Sequence, residues 1–216
     1  MKNILDRNQD KANEVRTLLK SRNIVMMNLI SSPGAGKTSL LERTLEFLDG
    51  RIQTGIIEGD ITTDRDAQRL KKFGHPIVVI NTEGGCHLDS YSISRALEAF
   101  DLDDLDLIFV ENVGNLICPS HFDLGENSKL AVVSTAEGDD KPAKYPMLFR
   151  DAEAVVLNKT DLIPYTNFNY EKFCADLRNI NPHVPLMEVS CVTGLGLTVW
   201  YDWLLTKVGS QEKKKG

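Results

Sequence analysis

The sequence has little of what marks membrane, exported or nucleic-acid-binding proteins. No apolar run approaches the ~18 residues of a membrane-spanning helix, and residues 1–20 lack the apolar segment of a signal peptide. Four cysteines in 216 residues are too few for a disulfide framework. The formal net charge of −6 argues against a generic nucleic-acid binder. We therefore expect a soluble cytoplasmic protein without a membrane or nucleic-acid partner.

Apolar runs alternate with segments of helical period, which predicts an α/β fold with a mostly parallel sheet and helices on both faces. The predicted strands cover residues 24–30, 53–58, 77–81, 105–110, 130–134, 152–157 and 185–189, and the predicted helices cover 6–20, a segment ending at 48, 64–73, 89–100, 169–179 and 197–208. We see no internal repeat or linker. We expect an N-terminal helical segment at 1–23, one domain at 24–208, and a basic C-terminal tail at 209–216.

The domain is organised around the stretch IVMMNLISSPGAGKTSLL near its start. A strand, a glycine loop, Lys-Thr and a helix form the phosphate-loop arrangement of P-loop NTPases. Gly34 and Gly36 carry no Cβ, so backbone N–H groups can curl around phosphate oxygens at the helix N-terminus. Lys37 is predicted to reach the β- and γ-phosphates, and the Thr38 hydroxyl to bind Mg²⁺. Ser31 stands where the strict pattern has glycine. The predicted nucleotide-binding residues here are Gly34, Ala35, Gly36, Lys37, Thr38 and Ser39.

The segment NKTD at 158–161 follows a predicted buried strand and favours guanine. The Asp161 carboxylate can accept two N–H bonds that guanine offers and adenine does not. The Lys159 stem can lie along the base, and the Asn158 amide can tie the loop back. A backbone N–H in residues 190–194, after the next strand, can meet the guanine oxygen. We predict GTP rather than ATP as the nucleotide, with Asn158, Lys159, Asp161, Ser190 and Cys191 at the base.

Acidic side chains follow two other strands. Asp60 and Glu111 are suited to Mg²⁺, which is usually held by one or two carboxylates. Glu111 and Gly114 have the separation found in the Asp-x-x-Gly of Ras-like GTPases. Asp64 and Asp66 lie one loop further on, where they can orient the attacking water; for Asp64 a helix N-cap is an equal alternative. The predicted catalytic residues are Lys37, Asp60 and Asp66, and the predicted magnesium ligands are Thr38, Asp60 and Glu111. Glu111 is also predicted to belong to the nucleotide-binding site.

Cysteine and histidine occur in two loops that we expect to converge. Cys86 and His87 follow the third strand, and Cys118 follows Glu111 by seven residues. Two thiolates and an imidazole suit Zn²⁺ or Ni²⁺, with a fourth position left to water or to a second copy of the chain. Spacing alone leaves open that these cysteines are core residues. We read Cys174 and Cys191 as structural by the same argument, and leave His75, His121 and His183 unassigned.

Five motifs together resemble one family. SSPGAGKT, EGD at 58–60, CHLD at 86–89, ENVGNLICP at 111–119 and NKTD occur in the family order of the hydrogenase nickel-incorporation GTPases, the HypB family. The resemblance spans residues 24–208. It implies a GTPase of the signal-recognition and MinD class that dimerises on GTP. It also implies a metallochaperone that passes nickel to the precursor of the [NiFe]-hydrogenase large subunit with the help of HypA. By this resemblance Cys86, His87 and Cys118 form the metal site, which Zn²⁺ can also occupy.

The sequence departs from some members of that family. Some carry an N-terminal cysteine motif or histidine-rich run for nickel, whereas residues 1–23 contain neither Cys nor His, so we do not expect nickel storage. Tyr91 and Arg95 stand where some relatives have histidines, which puts a second, histidine-supported metal in doubt.

Three alternatives remain for the function. One is a GTPase that serves urease or cobalamin enzymes, although the urease type keeps Cys and His together in a Cys-Pro-His motif. Another is an ATP-dependent ligase or kinase of this fold, which the NKTD segment opposes. The third is a signalling switch that binds no metal. Because Cys118 is close to Glu111 in sequence, we favour a metal site whose affinity responds to the bound nucleotide.

Overall fold

A computed structural model of the protein describes residues 4–60 and 65–209. Within these ranges seven strands form one sheet in the order β3-β2-β4-β1-β5-β6-β7, and every strand pair is parallel. The strands are β1 Val25–Ser31, β2 Thr54–Asp60, β3 Ile77–Asn81, β4 Leu107–Glu111, β5 Ser128–Ser134, β6 Ala154–Asn158 and β7 Leu186–Glu188. The predicted α/β fold with a parallel sheet is confirmed.

The helices alternate with the strands. They are α1 Ile4–Ser21, α2 Lys37–Leu48, α3 Arg65–Lys71, α4 Ser90–Leu97, α5 Cys118–His121, α6 Lys141–Lys144, α7 Pro146–Asp151, α8 Tyr170–Ile180 and α9 Leu197–Gly209. Predicted element ends differ from these bounds by at most three residues. We did not predict α5, α6 and α7, because helices of four to six residues are too short to show a 3.6-residue period.

Helices cover both faces of the sheet. On one face, Met27 and Leu29 of β1 belong to the same apolar cluster as side chains of α2 and α9, including Trp200. On the other face, Met26 clusters with side chains of α1 and α4, and Ile30 with those of α7 and α8. All seven residues of β1 are buried, which explains why this strand is apolar at almost every position.

The sheet places β1 between β4 and β5. Because all the strands are parallel, the loops after their carboxyl ends leave from one edge of the sheet, where open α/β sheets bind their ligands. The loop after β1 is therefore flanked by the loops after β4 and β5.

Several expectations fall beyond the described part of the chain. Asp64 and residues 210–216 of the predicted basic tail lie outside it, as do the side chains of Asp60 and Asp66. Over residues 4–60 and 65–209, none of the helices combines the length and the apolar character that crossing a membrane requires.

Candidate nucleotide and metal site

The loop between β1 and α2 needs glycine at two positions. Gly34 and Gly36 have φ angles of +79° and +99°, in the left-handed region. A Cβ on Gly36 would also lie 2.3 Å from Asn158 Nδ2. Glycine at the N-cap of α2 leaves the first backbone N–H groups of that helix without a side-chain cap, and such groups bind anions.

Ser31, the departure from the strict motif, contacts the loop lysine. Lys37 Nζ donates a hydrogen bond to Ser31 Oγ at 2.8 Å, and both residues are buried. The serine hydroxyl therefore holds the ammonium group over the loop, where it lines a cleft of about 440 Å³ together with Gly34, Gly36 and Thr38.

Two buried glutamates, Glu58 and Glu111, line the phosphate cleft. The Thr38 hydroxyl donates to Glu111 Oε1 at 2.8 Å. Glu58 on β2 is the register partner of Glu111 on β4. We did not predict a role for Glu58. The available signal was a carboxylate at a position where the apolar pattern of β2 predicts a buried side chain.

A second part of the cleft, of about 1000 Å³, lies toward β6 and β7 and shares Gly36, Ser39 and Lys159 with the first. Its lining includes Asn158, Asp161, Ser190 and Cys191. All the residues predicted to bind the base thus lie together beside the phosphate loop.

The NKTD segment is tied to the phosphate loop directly. Asn158 Nδ2 donates to the Ala35 carbonyl at 3.0 Å, and Asn158 Oδ1 accepts from the Cys191 N–H at 3.2 Å. Lys159 has a φ of +61° and donates from Nζ to the Gly34 carbonyl at 2.8 Å. The Asn158 amide therefore joins three loops, as the sequence predicted for its side chain.

Two groups near the base position have distinct electrostatics. Asp161 Oδ1 is buried and has no hydrogen-bond partner among the described residues. Burial raises the pKa of the Cys191 thiol to about 11, so this cysteine is a neutral, packed side chain at pH 7. Cys191 fits the structural reading given above.

Cys86, His87 and Cys118 come together as expected from the sequence. One potential ligand atom from each lies within 4.8 Å of the others, and all three residues are half-buried. Cys118 begins α5, and the Cys86 Sγ to His87 Nδ1 distance is 3.5 Å. Sulfur and imidazole nitrogen at this separation fit a tetrahedral or square-planar borderline cation.

The local surroundings disfavour the charged forms of two of these donors, Cys86 and His87. A hydrogen bond with Cys118, followed by burial, raises the pKa of the Cys86 thiol. Burial lowers the pKa of His87, so its imidazole stays uncharged. The His87 ring stacks on Phe122 with ring centroids 3.8 Å apart.

Asn112 joins the loop after β4 to the loop that carries His87. Its Oδ1 accepts from Leu88 N at 3.2 Å and from Val113 N at 2.9 Å. Its Nδ2 donates to Asn28 Oδ1 at 3.1 Å, and Asn28 Nδ2 donates to Glu126 Oε1 at 3.1 Å. Burial raises the pKa of Glu126. A buried polar chain thus runs from β1 and β4 to the metal-ligand loop.

Two glycines bring the nucleotide and metal loops into close contact. A Cβ on Gly114 would lie 2.9 Å from Pro33 Cγ of the phosphate loop. A Cβ on Gly59 would lie 2.9 Å from Leu88, next to His87. The phosphate cleft and the Cys/His cluster are therefore neighbours through packed loops.

The chain is similar in sequence to a described family of nucleotide-binding proteins. Residues 25–188 match the family model described as CobW/HypB/UreG, nucleotide-binding domain. The hydrogenase maturation factor HypB of Escherichia coli K12 is 45% identical over 204 residues, which cover 94% of this chain and 70% of that protein.

Solved structures with a similar fold include one from the same family and one more distant protein. The crystal structure of HypB from Helicobacter pylori in complex with nickel is similar, with a TM-score of 0.90, 33% identity, and coverage of 97% of this chain and 99% of that one. The signal recognition particle receptor FtsY of Elizabethkingia anophelis shares the fold at 14% identity, with a TM-score of 0.55 and coverage of 86% of this chain and 67% of that one. The chain belongs to the HypB family.

Proposed function

We propose that this protein is a GTPase that delivers nickel during the maturation of a [NiFe]-hydrogenase. The observation that carries the proposal is the link made by Asn112, whose side chain joins the loop after Glu111 to the loop that bears Cys86 and His87. A nucleotide-binding cleft and a soft-metal donor set are thereby parts of one structural unit. The names of the similar proteins support the same assignment.

Guanine selection is proposed to rest on Asp161. Asp161 lines the larger part of the cleft, and its buried Oδ1 has no partner among the described residues, so the N–H groups of a guanine edge would satisfy it. Adenine lacks those donors, so an adenine nucleotide would leave the carboxylate unsatisfied. The Cys191 N–H already donates to Asn158, and a guanine oxygen would share this donor.

Lys37, Thr38 and Glu111 are the proposed groups for GTP hydrolysis. Lys37 would exchange its hydrogen bond with Ser31 for the β- and γ-phosphates. The Thr38 hydroxyl and the Glu111 carboxylate are oxygen donors of the kind that Mg²⁺ takes, and Mg²⁺, when bound, neutralises charge on the phosphates. Asp60 remains proposed as a magnesium ligand and catalytic residue, and Asp66 as a catalytic residue that orients the attacking water.

Nickel is proposed to be the cargo, held by Cys86, His87 and Cys118. Two sulfurs and a neutral imidazole suit Ni²⁺, and Zn²⁺ fits the same donors. Since Cys118 lies on the loop that follows Glu111, a change of nucleotide would move one of the three donors relative to the other two. By linkage, metal must then alter nucleotide affinity by the same factor.

The partners follow from family resemblance. We propose a homodimer on GTP binding, a HypA-type nickel chaperone, and the hydrogenase large-subunit precursor in the cytoplasm. We also retain the predicted division into an N-terminal helical segment, a GTPase domain and a basic tail.

Sedimentation velocity with parallel nickel analysis tests the proposal. Wild type, Cys118→Ala and the matched cysteine control Cys174→Ala are run with GDP or a non-hydrolysable GTP analogue, each with and without Ni²⁺. We expect a dimer with the GTP analogue, and nickel binding in wild type and Cys174→Ala only. A monomer that binds no nickel under any condition would contradict a nickel-carrying GTPase and favour a metal-free switch.

A further inference from the structure

Besides the Asn112 link described above, three cross-links join the two loops that carry the metal-ligand cluster. The first is the approach of Cys86 to Cys118 within the cluster itself. The second is the stacking of the His87 ring on Phe122. The third comes from outside both loops and is made by Asn8 of α1. The N-terminal helix therefore takes part in the surroundings of the cluster.

Asn8 is buried and bonds to both loops with its amide. Its Nδ2 donates to the Asp123 carbonyl at 2.7 Å. Its Oδ1 accepts from Ser90 N at 2.9 Å, and its backbone carbonyl accepts from Ser90 Oγ at 2.8 Å. Ser90 lies three residues after His87, and Asp123 lies five after Cys118. One asparagine side chain thus spans the two segments that continue from the metal ligands.

Helix α1 is fixed to the second of these loops along its length. Arg16 donates two hydrogen bonds to the Asp123 carboxylate, at 2.7 and 2.8 Å, and Gln9 donates a third at 2.8 Å. A Cβ on Gly125 would lie 2.6 Å from the Ala12 carbonyl, so the helix backbone packs directly on the loop. These contacts fix α1 to the loop that contains Asp123, while Asn8 also bonds to Ser90. A movement of one segment relative to the other would therefore break a bond to Asn8.

We propose that Asn8 is a positioning residue for the metal site, through which α1 sets the separation between the Cys86–His87 loop and the Cys118 loop. This inference rests on the proposed nickel-carrying function. Partners that orient metal ligands without touching the metal commonly change metal affinity by about 10–100-fold when they are removed. Asn8 holds the backbone that carries the ligands, and it lies outside the lining of the nucleotide cleft.

Nickel titration of the full chain in the presence of GDP tests the inference. Ni²⁺ is the only metal added, and it is titrated into GDP-bound wild type and GDP-bound Asn8→Ala. Binding is followed by the thiolate-to-nickel charge-transfer absorption. We expect Asn8→Ala to bind nickel about tenfold or more weakly and to show an altered charge-transfer band. Its GDP affinity, measured in parallel, is expected to stay within about twofold of wild type. A general loss of structure would instead weaken the binding of both nickel and GDP.

Two further variants keep the test decisive. Asn13→Ala removes an exposed asparagine from the same helix and is expected to bind nickel like wild type. Ser90→Ala keeps the Ser90 N–H bond to Asn8 but loses the hydroxyl bonds, so it gives a smaller loss in the same direction even if Asn8→Ala fails to fold.

The outcomes separate this inference from the proposed function. If Cys118→Ala abolishes nickel binding while Asn8→Ala and Ser90→Ala bind nickel like Asn13→Ala, the positioning role is wrong and the nickel site stands. If wild type and Cys118→Ala bind nickel equally, the proposed nickel site fails, and the positioning role fails with it.

Discussion

The nucleotide cleft and the Cys/His cluster lie side by side but are held in different ways. The cleft is held by residues at the strand ends themselves: Ser31, the last residue of β1, accepts from Lys37, and Asn158, the last residue of β6, donates to the phosphate loop. The cluster residues stand five to seven residues beyond β3 and β4 and are held by side-chain bonds from Asn112 and Asn8. Side chains at the strand ends therefore hold the cleft, whereas the cluster is held through asparagine side chains that are not themselves among its three potential ligands.

This difference predicts which substitutions act on one site alone. A substitution in the loops at the strand ends should lower the affinity for the nucleotide and leave the metal affinity of the GDP-bound protein unaltered. A substitution of Asn8 or Asn112 should change the metal affinity and leave the affinity for GDP unaltered. Three variants test the contrast, from the largest expected effect to the smallest.

Asp161→Ala should have the largest effect and should be confined to the cleft. Loss of two hydrogen bonds to a charged carboxylate, at about 1.5 kcal/mol or more each, lowers GDP affinity on the order of 100-fold. Titration with a fluorescent GDP, with ADP as competitor, measures this loss and the discrimination between bases. The exposed Asp151→Ala serves as control. Unchanged preference for GDP over ADP in Asp161→Ala would remove the proposed basis of guanine selection.

Asn112→Ala should uncouple the two sites. Removing its side chain frees Leu88 N and Val113 N, so the nickel affinity measured with a GTP analogue and that measured with GDP should become equal within about twofold, whereas wild type should differ by about fivefold or more. Isothermal titration in the two nucleotide states gives both affinities.

Asn181→Ala is the matched control for Asn112. Asn181 Nδ2 donates to the carbonyls of Phe149, Arg150 and Ala152, so this variant also loses several hydrogen bonds. None of these four residues lines the cleft or belongs to the Cys/His cluster. If Asn181→Ala abolished the nucleotide dependence as well, general destabilisation and not Asn112 would be the cause.

The smallest effect concerns the attachment of α1 and depends on pH. Burial alone would raise the pKa of Asp123, but hydrogen bonds from Arg16 and Gln9 outweigh it and lower the pKa to about 2. Because the folded pKa is below the unfolded one, the stabilisation is complete above about pH 4 and is lost as the pH falls through about 2.

Arg16→Ala should therefore lower the free energy of unfolding at pH 7 by at most about 1 kcal/mol, since the pair is partly exposed. The difference from wild type should shrink as the pH falls from 4 to 2. Urea unfolding at several pH values measures it, with the exposed Arg7→Ala as control. A difference that stays constant down to pH 2 would show that Asp123 is not the partner that matters.

Much of the fold could be predicted because its signals are local. The apolar run of β1, interrupted only at Asn28 before Ser31, indicates burial on both faces, and the glycines of the phosphate loop indicate backbone angles that other residues rarely adopt. The short helix α5 gave no such signal, yet it carries Cys118. Its position depends on packing against the rest of the chain, which no local pattern records.

Residues of the candidate site could be predicted where they belong to motifs that are contiguous in the sequence. The phosphate loop and NKTD are each contiguous, so their residue types and order were visible in the sequence. Glu58 was missed because a single glutamate in a strand has no partner in sequence, and only the β2–β4 register places it beside Glu111. Asn8 was missed because its partners lie 82 and 115 residues away.

The sequence by itself determined the α/β class, the phosphate loop, the segment proposed to bind the base and the residues that could bind a soft metal. Each of these depends on neighbours within a few residues, through backbone angles or burial periodicity. Only the tertiary structure decided that Cys86, His87 and Cys118 meet, that Asn112 links them to the nucleotide cleft, and that α1 holds both of their loops. Those outcomes depend on strand order and on hydrogen bonds between distant segments, which form only once the sheet has assembled.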